Sequence, residues 1–191
     1  MKYFAHDTAV IDEDCQIGDG TKIWHFSHIM SRSKIGENCN LGQNVVISPD
    51  VILGKNCKVQ NNVSVYTGVI CEDNVFLGPS AVFTNIINPR SSIIRRKEYL
   101  QTHVKHGVTI GANATIICGN KIEAFAFIGA GTVITKNVPA YALVVGNPGR
   151  QIGWMSEYGH RLTFNEKQIA ICPESQETYE LFNGTVKKLN P

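Results

Sequence analysis

The residues of this chain best suited to chemistry are its histidines, a short run of cations and two Gly-Ala pairs. His25 and His28 are three apart, as are His103 and His106. A neutral imidazole can act as a general base or as a metal ligand, and it can also simply satisfy nearby backbone. Arg90 and the run Arg95-Arg96-Lys97 suit a diphosphate or a carboxylate, because a guanidinium pairs with either group through two parallel hydrogen bonds. A charge run is otherwise a solvated face. Gly111-Ala112 and Gly129-Ala130 carry little bulk, so their backbone N–H and C=O groups are open to a ligand, and Lys136 and Arg150 are cations able to meet phosphates. The six cysteines include no C-x-x-C pair, so neither a disulfide framework nor a thiolate metal site is expected.

What must position these groups is written in a period of six. Every sixth residue from Ile11 to Phe83 is apolar: Ile11, Ile17, Ile23, Ile29, Ile35, Leu41, Ile47, Leu53, Val59, Val65, Cys71, Leu77 and Phe83. A small or compatible side chain stands two residues before each, from Ala9 and Cys15 to Val75 and Ala81. That period fits neither a helix nor an ordinary strand. It describes a chain wound as a triangular prism, with one short strand and one corner per hexad and three hexads per coil. Coils then stack in parallel, roughly 4.8 Å apart. Gly18, Gly36, Gly42, Gly54 and Gly78 follow hexad residues, where the chain turns and a positive φ is expected. Cys15, Cys39, Cys57 and Cys71 fall on inward positions and act as small core residues.

The pattern stops after Phe83 and resumes at Val104, Ile110, Ile116, Ile122, Ile128 and Ile134. The gap of 21 residues, three more than a coil, marks an inserted loop at about 85–106, and the two stretches together make about six coils. The sequence divides into an all-β prism domain over 1–137 and a C-terminal extension over 138–191. In the extension an extended segment to Arg150 is followed by a short helix over 151–161. Asn183-Gly184, between Tyr179-Glu-Leu-Phe182 and Thr185-Val-Lys-Lys-Leu189, then signals a two-residue hairpin. A net charge of +2 gives no argument for a nucleic-acid partner. No segment has the length and apolarity to span a membrane as a helix, and a cytoplasmic location is the expectation.

The strict hexad resembles the left-handed parallel β-helix of the hexapeptide acyltransferases, an exception to right-handed crossovers. Val144-Val-Gly146-Asn-Pro-Gly-Arg150 is similar to their V-x-G-x-P-A-[KR] segment, with Gly149 in place of the usual Ala. Five further motifs occur in order: Trp24-His-Phe-Ser-His-Ile29, Gln60-Asn-Asn-Val-Ser-Val-Tyr66, Gly78-Pro-Ser-Ala-Val-Phe-Thr-Asn85, Asn88-Pro-Arg90 and Gln151-Ile-Gly-Trp-Met-Ser-Glu157. Together, over about residues 3 to 165, they resemble the nucleotide-sugar 3-N-acetyltransferases of bacterial surface-polysaccharide pathways such as O-antigen synthesis. The nearest likeness is to the branch acting on UDP-2-acetamido-3-amino-2,3-dideoxy-D-glucuronate.

That resemblance implies acetyl-CoA as co-substrate, no metal, and a homotrimer with active sites between subunits. It implies attack of a sugar 3-amino group on the thioester. Asn85 aligns with the family's Asn after Phe-Thr; an amide is no base, but its carbonyl oxygen can accept a hydrogen bond from the amine and aim the lone pair. Arg90, Gln60, Asn61, Tyr66, Thr84 and His25 are then expected at the sugar nucleotide. Gly111, Ala112, Gly129, Ala130, Lys136 and Arg150 are expected at CoA. Two other readings stay open: an N-acetyltransferase for a dTDP-3-amino-3,6-dideoxyhexose, which shares the Phe-Thr-Asn and Pro-Arg-Ser elements, and a γ-class carbonic anhydrase. The latter needs three zinc-binding histidines drawn from two subunits, with His103 and His106 the available pair.

Overall fold

The computed structural model describes residues 3–189. Strands β1 (Phe4–Ala5) to β20 (Val133–Ile134) are nearly all two residues long and form three parallel sheets, one per prism face. The register steps by eighteen, as in Lys22↔Asn40 and Lys58↔Phe76 on the first face and His28↔Val46 on the second. Eight parallel strands stack on the first face, seven on the second and six on the third. The solenoid is therefore longer than the six coils expected, because it begins at Phe4 and runs on through β21 (Ala142–Val145), which pairs in parallel with β19 (Phe127–Ile128).

The hexad residues fill the interior. Ile23, Ile29, Leu41, Ile47, Leu77, Ile110 and Ile128 are fully buried, and so are their smaller companions Val45, Val63 and Ala81. Only the first coil, with Ile11 and Ile17, is partly open, since no coil lies beneath it. Two polar companions serve the coil above: Thr21 Oγ1 donates to the Gly36 carbonyl at 2.8 Å and Ser27 Oγ to that of Gly42 at 2.8 Å.

The structure separates two roles that the sequence merges in its glycines. Positive φ falls three residues after the hexad residue, at Asp14, Asn38, Asn44, Asn56, Asn62, Asn74 and Asn113, with Gly20, Gly68, Gly107, Gly119 and Gly131 in the same slot. Asn and Gly tolerate the left-handed region best, which explains their enrichment there. Gly36 and Gly54, by contrast, do not have positive φ. They are required because a Cβ on Gly36 would lie 2.5 Å from the Gly54 carbonyl carbon, and one on Gly54 would lie 2.6 Å from the Asp73 nitrogen.

Between β14 (Val82–Phe83) and β15 (Thr102–Val104) the chain leaves the prism, and β15 returns onto β12 (Val69–Cys71), pairing Cys71 with Val104. The insertion adds fifteen residues to one eighteen-residue step. The 21-residue gap is thus one hexad plus an excursion, ending before Thr102 rather than near 106.

The expected helix over 151–161 is absent. β22 (Arg150–Trp154) instead runs antiparallel to β21 and covers the edge of the first face. An unpaired edge strand is a strong template, and Gly153 weakens any helix there by about 1 kcal/mol. The Asn183-Gly184 hairpin is present between β24 (Thr178–Phe182) and β25 (Thr185–Lys188), joined by β23 (Ile169–Ile171) in a small antiparallel sheet. This sheet buries Ala170, Tyr179, Val186 and Cys172 against Leu162, Tyr141 and Trp154. Lys188 Nζ lies 2.7 Å from Glu157 Oε2 and 3.0 Å from Glu177 Oε1, while Tyr141 donates to Glu157 Oε1 at 3.0 Å. These bonds lock the sheet to the last coil.

Candidate active site

The three prism edges sort the candidate residues. The edge between the first and second faces carries His25, Gln60, Asn61, Gly111, Ala112, Gly129 and Ala130. The edge between the second and third faces carries Tyr66, Thr84, Asn85, the loop with Arg90, and Lys136. The whole second face separates the two groups within one chain.

The second edge has the richer chemistry. The loop is closed by the Leu100 N–H donating to the Asn85 carbonyl at 3.0 Å and by Ile93 N–H to the Arg90 carbonyl at 3.1 Å. Arg95 holds Glu98 with Nη1 contacts of 2.8 and 3.1 Å. These bonds shape a cavity of about 340 Å³, lined among others by Asn85, Pro89, Arg90, Arg95, Arg96 and Tyr99. Asn85, Arg90 and part of the basic run therefore share one cavity, and the buried Arg95 Nε has no hydrogen-bond partner. Thr84 is partly committed, since its Oγ1 accepts the Cys118 N–H at 2.9 Å. Tyr66 stands 42% exposed one coil below. Around the loop Ile87, Ile93 and Ile94 face outward, Ile94 at 88% exposure.

On the first edge, Asn61 takes part in the stacking itself: its Oδ1 accepts the Gln43 N–H at 2.9 Å, in space left by Gly42. The glycines of the Gly-Ala pairs face their own chain. A Cβ on Gly111 would lie 2.6 Å from the Ala130 nitrogen, so a ligand reaches this edge only from outside, past Ala112 and Ala130. His25 stacks on His6 with centroids 3.5 Å apart. Toward the last coil, Lys136 lines a cavity of about 180 Å³ with Thr135, Val144, Gly149 and Gln151, and the exposed Arg150 opens β22.

The remaining histidines lie elsewhere. His28 Nε2 is 2.8 Å from Asp12 Oδ1 on the second face. His103 sits on the third face, and His106 on the third edge, where its ring meets Phe125 edge-on at 5.3 Å. There Glu72 is held below the usual carboxylate range by the hydrogen bond from Lys105, helped by the His106 N–H. Burial pushes the Cys71 thiol up to about 12, in keeping with a core role. Among the described residues no group of three or more His, Cys, Asp or Glu is placed to hold a metal ion.

Comparison with known proteins decides the family. The model of bacterial transferase hexapeptide (six repeats) matches residues 14–49, and that of the hexapeptide repeat of succinyl-transferase matches 33–67 and 106–136. The dTDP-3-amino-3,6-dideoxy-alpha-D-galactopyranose 3-N-acetyltransferase of Aneurinibacillus thermoaerophilus is 41% identical over 97% of this chain and 95% of its own length. The chain belongs to the hexapeptide-repeat acetyltransferase family. It is an acetyltransferase, built as a left-handed parallel β-helix. More distant members include the 2,3,4,5-tetrahydropyridine-2,6-dicarboxylate N-acetyltransferase of Staphylococcus aureus (strain JH9), 36% identical over 44% of this chain and 32% of that one. Among solved structures, a hexapeptide transferase family protein from Anaplasma phagocytophilum shares the fold at a TM-score of 0.56. It is 16% identical, over 83% of this chain and 86% of that one. A hexapeptide-repeat acetyltransferase from Vibrio cholerae, solved with acetyl coenzyme A, gives a TM-score of 0.50. It is 24% identical, over 61% and 70% of the two chains. The motifs place Asn85 and Arg90 at one site, and they do line one cavity; Tyr99, which lines it too, was not found from the sequence. The only signal was the basic run inside an off-period segment.

Proposed function

We propose that this acetyltransferase moves an acetyl group from acetyl-CoA to the 3-amino group of a dTDP-linked 3-amino-3,6-dideoxyhexose. The observation that carries this reading is the 41% identity, across nearly the whole of both chains, to an enzyme named for such a substrate. It replaces the UDP-glucuronate acceptor as the main reading. Among the motifs that resemble the glucuronate branch is Gln60 to Tyr66, and there Asn61 Oδ1 already accepts the Gln43 N–H.

In the proposed reaction the amine nitrogen forms a bond to the thioester carbon, the C–S bond breaks, and the departing thiolate takes the amine proton. Asn85 Oδ1 accepts a hydrogen bond from the amine and fixes its lone pair on the carbonyl. A corner N–H stabilises the oxyanion. Arg90 meets the diphosphate with two parallel hydrogen bonds. Lys136 and Arg150, exposed at the C-terminal end of the prism, meet the phosphates of CoA. Because the loop and the Gly-Ala edge lie on opposite borders of one face, the complete site joins the loop of one copy to the first edge of another in a homotrimer.

The test is thiol release from acetyl-CoA with a panel of dTDP- and UDP-linked 3-amino sugars. Turnover with a dTDP-3-amino-3,6-dideoxyhexose supports the proposal. Turnover confined to the UDP-uronic acceptor restores the other branch, and no turnover with any amino sugar sinks both.

A further inference from the structure

Of the motif Trp24-His-Phe-Ser-His-Ile29 only His25 has so far been expected at the sugar nucleotide, with no stated role, yet the motif makes an unusual feature at the N-terminal end of the first edge. Phe26 is 66% exposed and adopts φ +59° in the slot that Asn and Gly fill on most other coils. An aromatic residue held there costs of order 1 kcal/mol or more and gains no burial in this chain. Its backbone is secured from below, the Phe26 N–H donating to Thr8 Oγ1 at 3.1 Å. Beside it lies a line of rings. His25 is 6.1 Å from Phe26, it stacks on His6, and Trp24 follows at 6.4 Å, nearly coplanar at 8°. His6 Nδ1 accepts the Thr8 N–H at 3.2 Å, which leaves its Nε2 as the protonated nitrogen when the ring is neutral. His25 Nδ1 is buried without a partner, so nothing inside the chain dictates its tautomer.

A ring held outward next to two half-buried imidazoles is equipped to stack on a flat heterocycle, and an imidazole nitrogen that faces outward can hydrogen-bond its edge. Phe26 lies on the second coil and Asn85 on the fifth, so where the first edge of one copy meets the loop of another at matching height the two levels are separated along the prism axis by roughly 14 Å at the usual strand spacing. That is the reach of an extended nucleoside diphosphate sugar with its amino group at the Asn85 level. We infer that Phe26, His25 and His6 form the nucleobase subsite, Phe26 stacking on the pyrimidine face and the imidazoles meeting its polar edge. The inference rests on the nucleotide-sugar reading and adds the location and chemistry of base recognition.

The experiment measures binding of dTDP alone, by calorimetry, to the full-length enzyme and to Phe26→Ala and Phe26→Tyr. Turnover of the dTDP-3-amino sugar and the oligomeric state are followed in parallel. Phe26→Ala is expected to weaken dTDP about tenfold and to raise the sugar-nucleotide KM similarly, with kcat and the acetyl-CoA KM little changed, while Phe26→Tyr restores binding. Wild-type affinity for dTDP in an active Phe26→Ala enzyme overturns the subsite and leaves the function standing. A change of oligomeric state in Phe26→Ala, rescued by Phe26→Tyr without a specific loss of dTDP binding, also overturns it and makes the ring a subunit contact. Failure of the wild type both to bind dTDP and to turn over any dTDP sugar removes the functional reading itself.

Discussion

In the proposed reaction Asn85 is the single side chain that aims the amine. It opens the loop, its backbone carbonyl is fixed by Leu100, and its side chain reaches the cavity shared with Arg90. If its amide only aims the amine, Asn85→Ala lowers kcat by about a hundredfold and leaves both KM values close to wild type. Steady-state kinetics decide this, and a loss confined to KM would make Asn85 a binding residue. The residue was legible from its motif, whereas its neighbourhood was not: nothing in the spacing of Arg90, Arg96 and Tyr99 announces that they face one cavity. Asn61 illustrates the converse. Its polar side chain suggested a ligand, but stacked above Gly42 its Oδ1 accepts an N–H of the coil below, a structural duty the sequence did not announce.

At the scale of the coil, the period of six was readable because each inward position must be apolar and no other geometry repeats at that interval. The reason for the glycines was not readable, since sequence cannot separate a residue that needs positive φ from one that leaves no room for Cβ. Gly54→Ala tests the distinction. The new methyl meets the backbone of the next coil at 2.6 Å, so destabilisation of about 3 kcal/mol is expected in denaturant melts, although φ there is ordinary. Asn56→Ala, in the left-handed slot two residues on at the same corner, should cost about 1 kcal/mol. The cysteines offer a second check on the same packing. Five of six are buried and only Cys15 is partly open, so a thiol reagent should label the native protein at Cys15 alone and reach all six after unfolding. The 151–161 segment was misread because strand pairing with β21 outweighs local preference, and pairing partners are not written in a local window.

For the whole molecule, the C-terminal sheet and its ion network predict a pH window. Glu177 is held below the usual carboxylate range chiefly by the hydrogen bond from Lys188, and Lys188 is raised chiefly by that from Glu157. The carboxylate contributes stability above about pH 4.3 that is lost as pH falls further. The ammonium contributes stability below about pH 10.4 that is lost as pH rises past its elevated value. The contribution of this network should therefore be constant between these limits and fall on either side, and in thermal melts Lys188→Met should abolish the part of the acid decline that belongs to Glu177. The split of candidate residues over two edges makes a separate prediction about assembly. Asn85→Ala and a first-edge variant such as Ala112→Trp, each strongly impaired alone, should regain activity when co-expressed, because one interface of a mixed trimer then carries neither lesion. Absence of complementation would place the site within one chain.

The loop leaves the prism after Phe83 and rejoins it at Thr102 on the next strand position, with Cys71 meeting Val104 as though nothing intervened. The scaffold is therefore indifferent to what is spliced in at that corner. Loop-closure cost grows only logarithmically with length, so replacing fifteen residues by ten or twenty-five changes it by less than about 1 kcal/mol. On the proposed reading, in which the loop holds the acceptor, acceptor choice can drift or be exchanged as a cassette while the stacked coils stay under separate selection for stability.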